Sequence, residues 1–451
     1  MYHRFRRRGG FSLPGLIVLA VLALGLLALM ILRFSASRRG PAVEVSAYLA
    51  PTPAVSTAAG NQISVPPTGP AASAAPGDAA PGDAAPEPTA APTPTPVPEP
   101  EYFTVSMVGD CTLAEAKTRR GWGSAYQSVV GTNYAYPFAN TVEYFRDDYL
   151  TITNLECTLS NTYYDSIEQF VFLAPAAYAN ILSEGGVDFV TLANNHTMDF
   201  GQNAYNDTKA SLDAAGIPHA GEDEIYIFQR DDGVKIGLYC LYNQLTYNAM
   251  SIKSANGQQQ LVAAGKEKIK SAQAALMQAG AEFTVACLHM GREGYYETTD
   301  TQVELCRYAV DQGFGLIYCS HAHRLQPAEP YNGALIFYGL GNWSFGGHTN
   351  PGNGTDPGAY DTGIAQVTLC RRGDRVTIDS YTFIPCCISS SAGTGLSDFV
   401  PNANTLNNYQ PTPYAEGGSA WNRTLSMLNG TYEGANYNTD YSNVLTAMNN
   451  G

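Results

Sequence analysis

Seven side chains in this 451-residue sequence have the chemistry to share a cation: Asp110, Glu156, Asn195, His196, His289, His321 and His323. Carboxylate, amide oxygen and imidazole together make a hard-to-borderline donor set that suits Mn²⁺, Zn²⁺ or Fe²⁺. A carboxylate shared by two such ions, ~3.5–4 Å apart, lets the pair clamp the attacking and leaving oxygens of an in-line displacement. His196, beside the candidate ligand Asn195, is then left to act as a general acid or to orient the scissile group. Each residue alone has an ordinary explanation. Asp after Gly suits a turn, Glu156 could cap a helix, and Asn-His could be a hydrogen-bonded loop. Their joint placement is harder to explain that way, because each lies at the end of an apolar, strand-like run.

Those runs are Phe103–Val108, Leu150–Asn154, Phe189–Ala193, Val234–Leu241, Thr284–Leu288 and Leu316–Cys319. Helical patterns alternate with them at Pro137–Phe145, Ala176–Ser183, Ala204–Ala214, Lys266–Met277 and Thr301–Val310, several running out near a Gly (185, 216, 280, 313). The alternation predicts an α/β fold, in which sites form beyond the C-terminal ends of the strands. Later runs, Leu335–Tyr338, Gly363–Cys370 and Val376–Ile384, predict antiparallel strands, with Arg372-Gly373-Asp374 as a hairpin connection. Residues 390–451 are rich in Asn, Ser, Thr, Gly and Tyr and read as a surface extension with one helix at Ala420–Leu428.

The body is preceded by two other regions. Phe11–Leu32 is an uncharged run of 22 residues between clusters of arginine, long enough at ~1.5 Å per residue to cross a ~30 Å hydrocarbon core. It predicts a single transmembrane anchor with the N-terminus inside, the alternative being a signal peptide cleaved near Ser35-Ala36-Ser37. Either places the body outside the cytoplasmic membrane. Residues 41–100 hold 15 of the 27 prolines and no Lys or Arg, and repeat Ala-Ala-Pro-Gly-Asp in tandem. This composition predicts a disordered, extended linker. The expected divisions are therefore 1–40 (basic N-terminus and anchor), 41–100 (linker), 101–390 (catalytic-type domain) and 391–451 (extension). All seven arginines of residues 1–40 lie in the anchor region, so the remainder carries 18 basic against 40 acidic side chains. Nucleic acid is not an expected partner for so acidic a body. The nine cysteines show no CxxC and mostly sit in apolar runs, which predicts buried thiols, with a Cys111–Cys157 disulfide as an alternative.

The motifs MVGD, TNLECTLS, LANNHTMDFG, CLHMGREGYY and SHAHRLQPAEPYNGALIFYGLGNWSFG, spread over residues 107–346, carry a resemblance. The series resembles the dinuclear calcineurin-like metallophosphoesterases, and more closely the CapA family of poly-γ-glutamate capsule biosynthesis proteins. The resemblance implies a four-layer α/β/β/α sandwich and one or two divalent ions. By it, Asp110 and His323 bind the first ion, Glu156 bridges, and Asn195, His289 and His321 bind the second. His196 contacts the scissile group. Two positions depart from the phosphoesterase pattern: Thr112 stands where a His is usual, and the bridging acid is Glu rather than Asp. Compared with the capsule family, Ser320 and Ala322 replace the usual Gly and Pro around the final His pair. Asp199, Glu293, Glu329 and Asn342 are further candidates for orienting ligands or touching substrate.

Two functions follow. One is a metal-dependent hydrolase or transferase at the cell surface, acting on an anionic polymer or its precursor. The other is a non-enzymatic accessory subunit of a polymer synthesis or export complex, whose proteins would then be its partners. Nothing supports a serine-nucleophile hydrolase, since no GxSxG occurs.

Overall fold

The computed structural model describes residues 99–433, except 115, 119–120, 123–124, 163, 165, 167–169, 243–254, 348–355, 392–395, 399 and 401–406, plus the two-residue strand Val43–Glu44. The expected anchor and nearly all of the linker lie outside the described residues. Among those described, no helix is long and apolar enough to cross a membrane.

The first sheet contains β1 (Glu101–Cys111), β2 (Leu150–Leu155), β3 (Phe189–Thr191) and β4 (His219–Ala220), all parallel. The second contains β5 (Glu224–Phe228), β6 (Ile236–Tyr242), β7 (Phe283–His289), β8 (Leu316–Ser320), β9 (Ala328–Tyr331) and β10 (Ala334–Phe337). Its order is β5-β6-β7-β8-β10-β9, with parallel central pairs and antiparallel edges. The chain then returns to the first sheet through the antiparallel hairpin β11 (Asp361–Arg372) and β12 (Arg375–Cys387), and β11 pairs with β1. Gly373, at φ +64°, makes the tight turn that joins them.

Strand alternation sorts the side chains into layers. Val105, Met107, Leu150 and Ile152 of the first sheet meet Val285, Cys287, Leu316 and Tyr318 of the second in one buried core. On the far side of the second sheet, Ala286, Leu288, Ile317 and Cys319 pack under α2 (Ala255–Gln278) and α3 (Asp300–Asp311), through Ile269, Leu276, Leu305 and Ala309. Helix α3 starts with a capping box between Thr299 and Gln302. The far side of the first sheet is covered by α1 (Gly201–Ala215) and the connecting segments through Leu212, Ile181 and Phe138. The layers are α/β/β/α, as the resemblance implied.

Two expectations need correction. Pro137–Phe145 is not a helix but two 3₁₀ turns, Tyr136–Phe138 and Val142–Tyr144. Thr141 separates them and turns its hydroxyl back to the Phe138 carbonyl. The late polar segment is no mere surface layer. Tyr409 is buried with its ring 4.8 Å from that of Tyr126. Helix α4 (Ser419–Leu428) sends Met427 and Leu428 into the inter-sheet core. Arg423 on that helix pairs with buried Asp361. All nine cysteines are buried free thiols, so the alternative Cys111–Cys157 disulfide is not formed.

Candidate metal centre

The site lies where the inward-facing rows of three strands change from apolar to polar. In β2 the row runs Leu150, Ile152, Asn154 and then Glu156, two residues apart. In β7 it runs Val285, Cys287, His289, and in β8 Leu316, Tyr318, Ser320. The parallel register sets His289 beside Ser320 and Asp110 beside Asn154. A register shift between Met107 and Asp110 re-aims the end of β1. Asp110 is also tied to the segment after β10, donating its N–H to the Gly341 carbonyl (2.9 Å) and accepting from the Trp343 N–H (2.8 Å). Both sheets therefore deliver their strand ends to one place.

Within it, Glu156, His289 and His321 each offer a ligand atom, all three within 4.8 Å of one another. Asp110, Glu156 and His323 form a second such triad, so Glu156 belongs to both. Its Oε1 lies 3.6 Å from His289 Nε2 and 3.8 Å from His323 Nε2. Asn195 Oδ1 joins the first triad at 2.7 Å from His289 Nε2. His321 (φ +100°) and His323 (φ +51°) hold left-handed backbone, a strained conformation that aims both rings inward. Asn342 Oδ1 accepts from His323 Nδ1 at 3.0 Å. Glu293 reaches to 3.9 Å from His321 Nε2. His196 is held by Asp199, whose two carboxylate oxygens are each 3.1 Å from Nδ1, and stands edge-on to Phe172.

Burial dominates the electrostatics. It pushes the Glu156 carboxyl up to about 8, with His323 opposing and Asp110 adding to the rise. Burial pulls His323 down, but the charges of Glu156 and Asp110 overcome it and raise the ring to about 9. His289 is held well below the usual imidazole range by burial and by the neighbouring histidines. His321 falls to about 4 for the same first reason. His196 is opposed by burial, yet its Asp199 partner raises it.

These residues fit a divalent ion. Glu156 Oε1 and His321 Nδ1 are buried with no hydrogen-bond partner among the described residues. Leaving such atoms unsatisfied costs roughly 1–3 kcal/mol each, and a cation would complete an acceptor of this kind. Two imidazoles held neutral, two carboxylates and an amide oxygen are the donors that such an ion takes.

Not every expected residue joins. Glu329 is turned away onto edge strand β9, where Arg307 and Tyr338 take its carboxylate. Thr112, at the position where phosphoesterases carry His, belongs to neither triad. Its hydroxyl donates to the Ala114 carbonyl and accepts from Gly346 N–H (2.7 Å). Conversely, the sequence reading missed the side-chain roles of three residues of the site. Ser320 Oγ is 2.8 Å from His289 Nδ1 and so fixes that ring. Asn154 and Asn194 form an amide chain behind the carboxylates. Period-two spacing from Glu156 was the signal that could have found Asn154.

An α/β sandwich whose strand ends gather two acid–imidazole triads around one shared carboxylate defines a protein with a candidate dinuclear metal site. By its sequence the chain belongs to the bacterial capsule synthesis protein PGA_cap family, which it matches over residues 104–346. It is 25% identical over 259 residues to the capsule biosynthesis protein CapA of Bacillus anthracis, covering 54% of this chain and 60% of that one. It is 29% identical over 172 residues to the PGA biosynthesis protein CapA of Bacillus subtilis (strain 168), covering 37% and 44%. The matches thus span about half the length of these relatives. Among solved structures, the calcineurin-like phosphoesterase YfkN from Bacillus subtilis superposes with a TM-score of 0.39 at 12% identity, covering 64% of this chain and 91% of that one.

Proposed function

We propose that this chain is a metal-dependent hydrolase or transferase of capsule or poly-γ-glutamate synthesis, tethered to the cell membrane by Phe11–Leu32 with its N-terminus inside and its body outside. The observation that carries the reading is the double membership of Glu156 in two ligand triads. Asp110, Glu156 and His323 would hold one divalent ion (Mn, Zn or Fe), and Glu156, Asn195, His289 and His321 the other. Such ions would polarise a phosphoester or a γ-glutamyl amide and activate water. The chain's own residues do the rest. Asp199 binds His196 through Nδ1 and favours its protonated form, so that the opposite ring nitrogen, Nε2, can pass a proton to a leaving group. Asn342 and Ser320 lock the rings of His323 and His289. Glu293, more exposed than the buried ligands, stands at the rim where a substrate amine would arrive. The substrate on this reading is the anionic polymer or its precursor, and the synthesis and export proteins are its partners.

Thr112 favours a second reading, because it leaves the Asp110 triad without the additional histidine that the phosphoesterase pattern has at that position; its hydroxyl is engaged by Gly346 instead. With that position weak, the chain would bind polymer as an accessory subunit without cleaving it. Metal analysis of the purified chain, followed by assays on phosphodiester and γ-glutamyl substrates, separates the two. Bound metal with metal-dependent turnover supports the enzyme. Bound metal with no turnover on either substrate supports the accessory subunit, and a metal-free protein overturns the metal centre altogether.

A further inference from the structure

Asn154 is fully buried at the end of β2 and touches both triads. Its amide N–H₂ donates to Asp110 Oδ1 at 2.9 Å and to Glu156 Oε2 at 3.2 Å. It also passes 3.4 Å from His289 Nδ1, whose nearer neighbour is Ser320 Oγ at 2.8 Å. Its own orientation is set from behind. Asn194 donates to Asn154 Oδ1 at 3.0 Å and to the Leu155 carbonyl at 2.8 Å. The Asn194 side-chain oxygen Oδ1 accepts from the His196 main-chain N–H at 3.0 Å. The amide chain therefore ends on the backbone of the loop that carries Asn195 and His196.

The consequence is a choice of oxygens. With Oδ1 of Asp110 and Oε2 of Glu156 taken by one amino group, the oxygens left for the centre are Asp110 Oδ2 and Glu156 Oε1. Oδ2 lies 3.3 Å from His323 Nδ1 and 3.3 Å from the His321 N–H. Oε1 is the orphaned atom between His289 and His323. We infer that Asn154 is a positioning residue that makes Glu156 present a single oxygen, Oε1, to both halves of the centre. This rests on the metal-centre reading above and adds the mode of sharing. A carboxylate free to rotate would give one oxygen to each ion instead, or turn to a single ion. An apolar residue of the same size would fill the space and leave that rotation open, while the amide forbids it without adding charge.

The test uses the full chain in detergent, with Mn²⁺ as the probe. Wild type is expected to bind two Mn²⁺ and to give the multiline paramagnetic resonance signal of an exchange-coupled pair. Asn154→Leu is expected to weaken Mn²⁺ binding about 10–100-fold and to abolish the coupled signal, as loss of a ligand-orienting partner does. A purely structural role would lower thermal stability in chelator but leave the signal of the folded fraction intact. Asn194→Ala, which frees Asn154 Oδ1 without touching a carboxylate, is expected to cause a smaller, roughly threefold or greater loss in the same direction. Wild-type affinity and coupling in folded Asn154→Leu overturn the inference. Should that variant not fold, wild-type values in Asn194→Ala overturn it. Wild type that binds two uncoupled ions contradicts the shared oxygen alone, whereas wild type that binds no Mn²⁺ removes the metal centre itself.

Discussion

Replacing Gly109 with Ala would break the joint between the two sheets at the site. A Cβ built at Gly109 lies 2.2 Å from the Gly341 carbonyl oxygen, 2.8 Å from its carbon and 3.0 Å from the Asn342 carbonyl carbon. All three are backbone atoms, so no side chain can swing aside. Comfortable carbon contacts lie at ~3.5–4.0 Å, so the strand end and the 341–343 segment must separate by roughly 1 Å. That segment is bonded to Asp110 on both sides, at 2.9 and 2.8 Å, and both hydrogen bonds would stretch. Overpacking costs about 1–3 kcal/mol and each of the two weakened bonds up to about 1 more, giving a loss of roughly 1–5 kcal/mol. Urea unfolding in the presence of chelator measures it. The same movement separates Asp110 from His323 and Asn342, so Mn²⁺ affinity should fall in the fraction that remains folded. A Gly109→Ala protein with wild-type urea midpoint and wild-type Mn²⁺ affinity would refute the argument that this backbone contact sets the site.

Other expectations follow from particular contacts. Burial raises the Asp148 carboxyl to about 7, against hydrogen bonds from Ser106 and Gln366. The folded protein therefore holds this proton where the unfolded chain has lost it. The contribution to stability is complete below pH ~4 and disappears as pH rises to about 7. Asp148→Asn should accordingly be more stable than wild type at pH 8, by on the order of 2 kcal/mol, and the gain should vanish at pH 4 in denaturant titrations. Arg423→Ala leaves the buried Asp361 carboxylate without its guanidinium, so a loss of about 3–5 kcal/mol is expected, with earlier protease cleavage ahead of α4. Ser320→Ala unfixes the His289 ring and should weaken metal binding about tenfold while the melting temperature in chelator changes little.

The site was legible because metal ligands need few residue types and α/β topology dictates where they stand. Asp110, Glu156, His289, His321 and His323 were read at strand ends and are brought together there. The Asn332-Gly333 pair, both residues at positive φ, is the sequence signal of the reversal that pairs β9 with β10, and it was passed over. Glu329, only six residues past His323, was therefore not recognised as lying on the strand that turns away to Arg307. Ser320 was read as a backbone substitution, yet its hydroxyl matters because the parallel register sets it against His289. That register depends on sheet order, which local patterning does not encode. The polar composition of the late segment disguised its packing, since a few large residues such as Tyr409, Trp421 and Met427 are enough to dock it. Thr112 was seen to depart from the phosphoesterase pattern, but one of its two partners, Gly346, lies 234 residues on.

Metal stoichiometry measured by mass spectrometry on the wild-type chain and on Glu156→Gln, His289→Ala and His323→Ala probes the shared carboxylate most directly. Two equivalents in wild type, close to one in each histidine variant and almost none in Glu156→Gln is the outcome that two triads joined at one residue predict. Two equivalents surviving in Glu156→Gln, or none bound by wild type at micromolar Mn²⁺ or Zn²⁺, would contradict it.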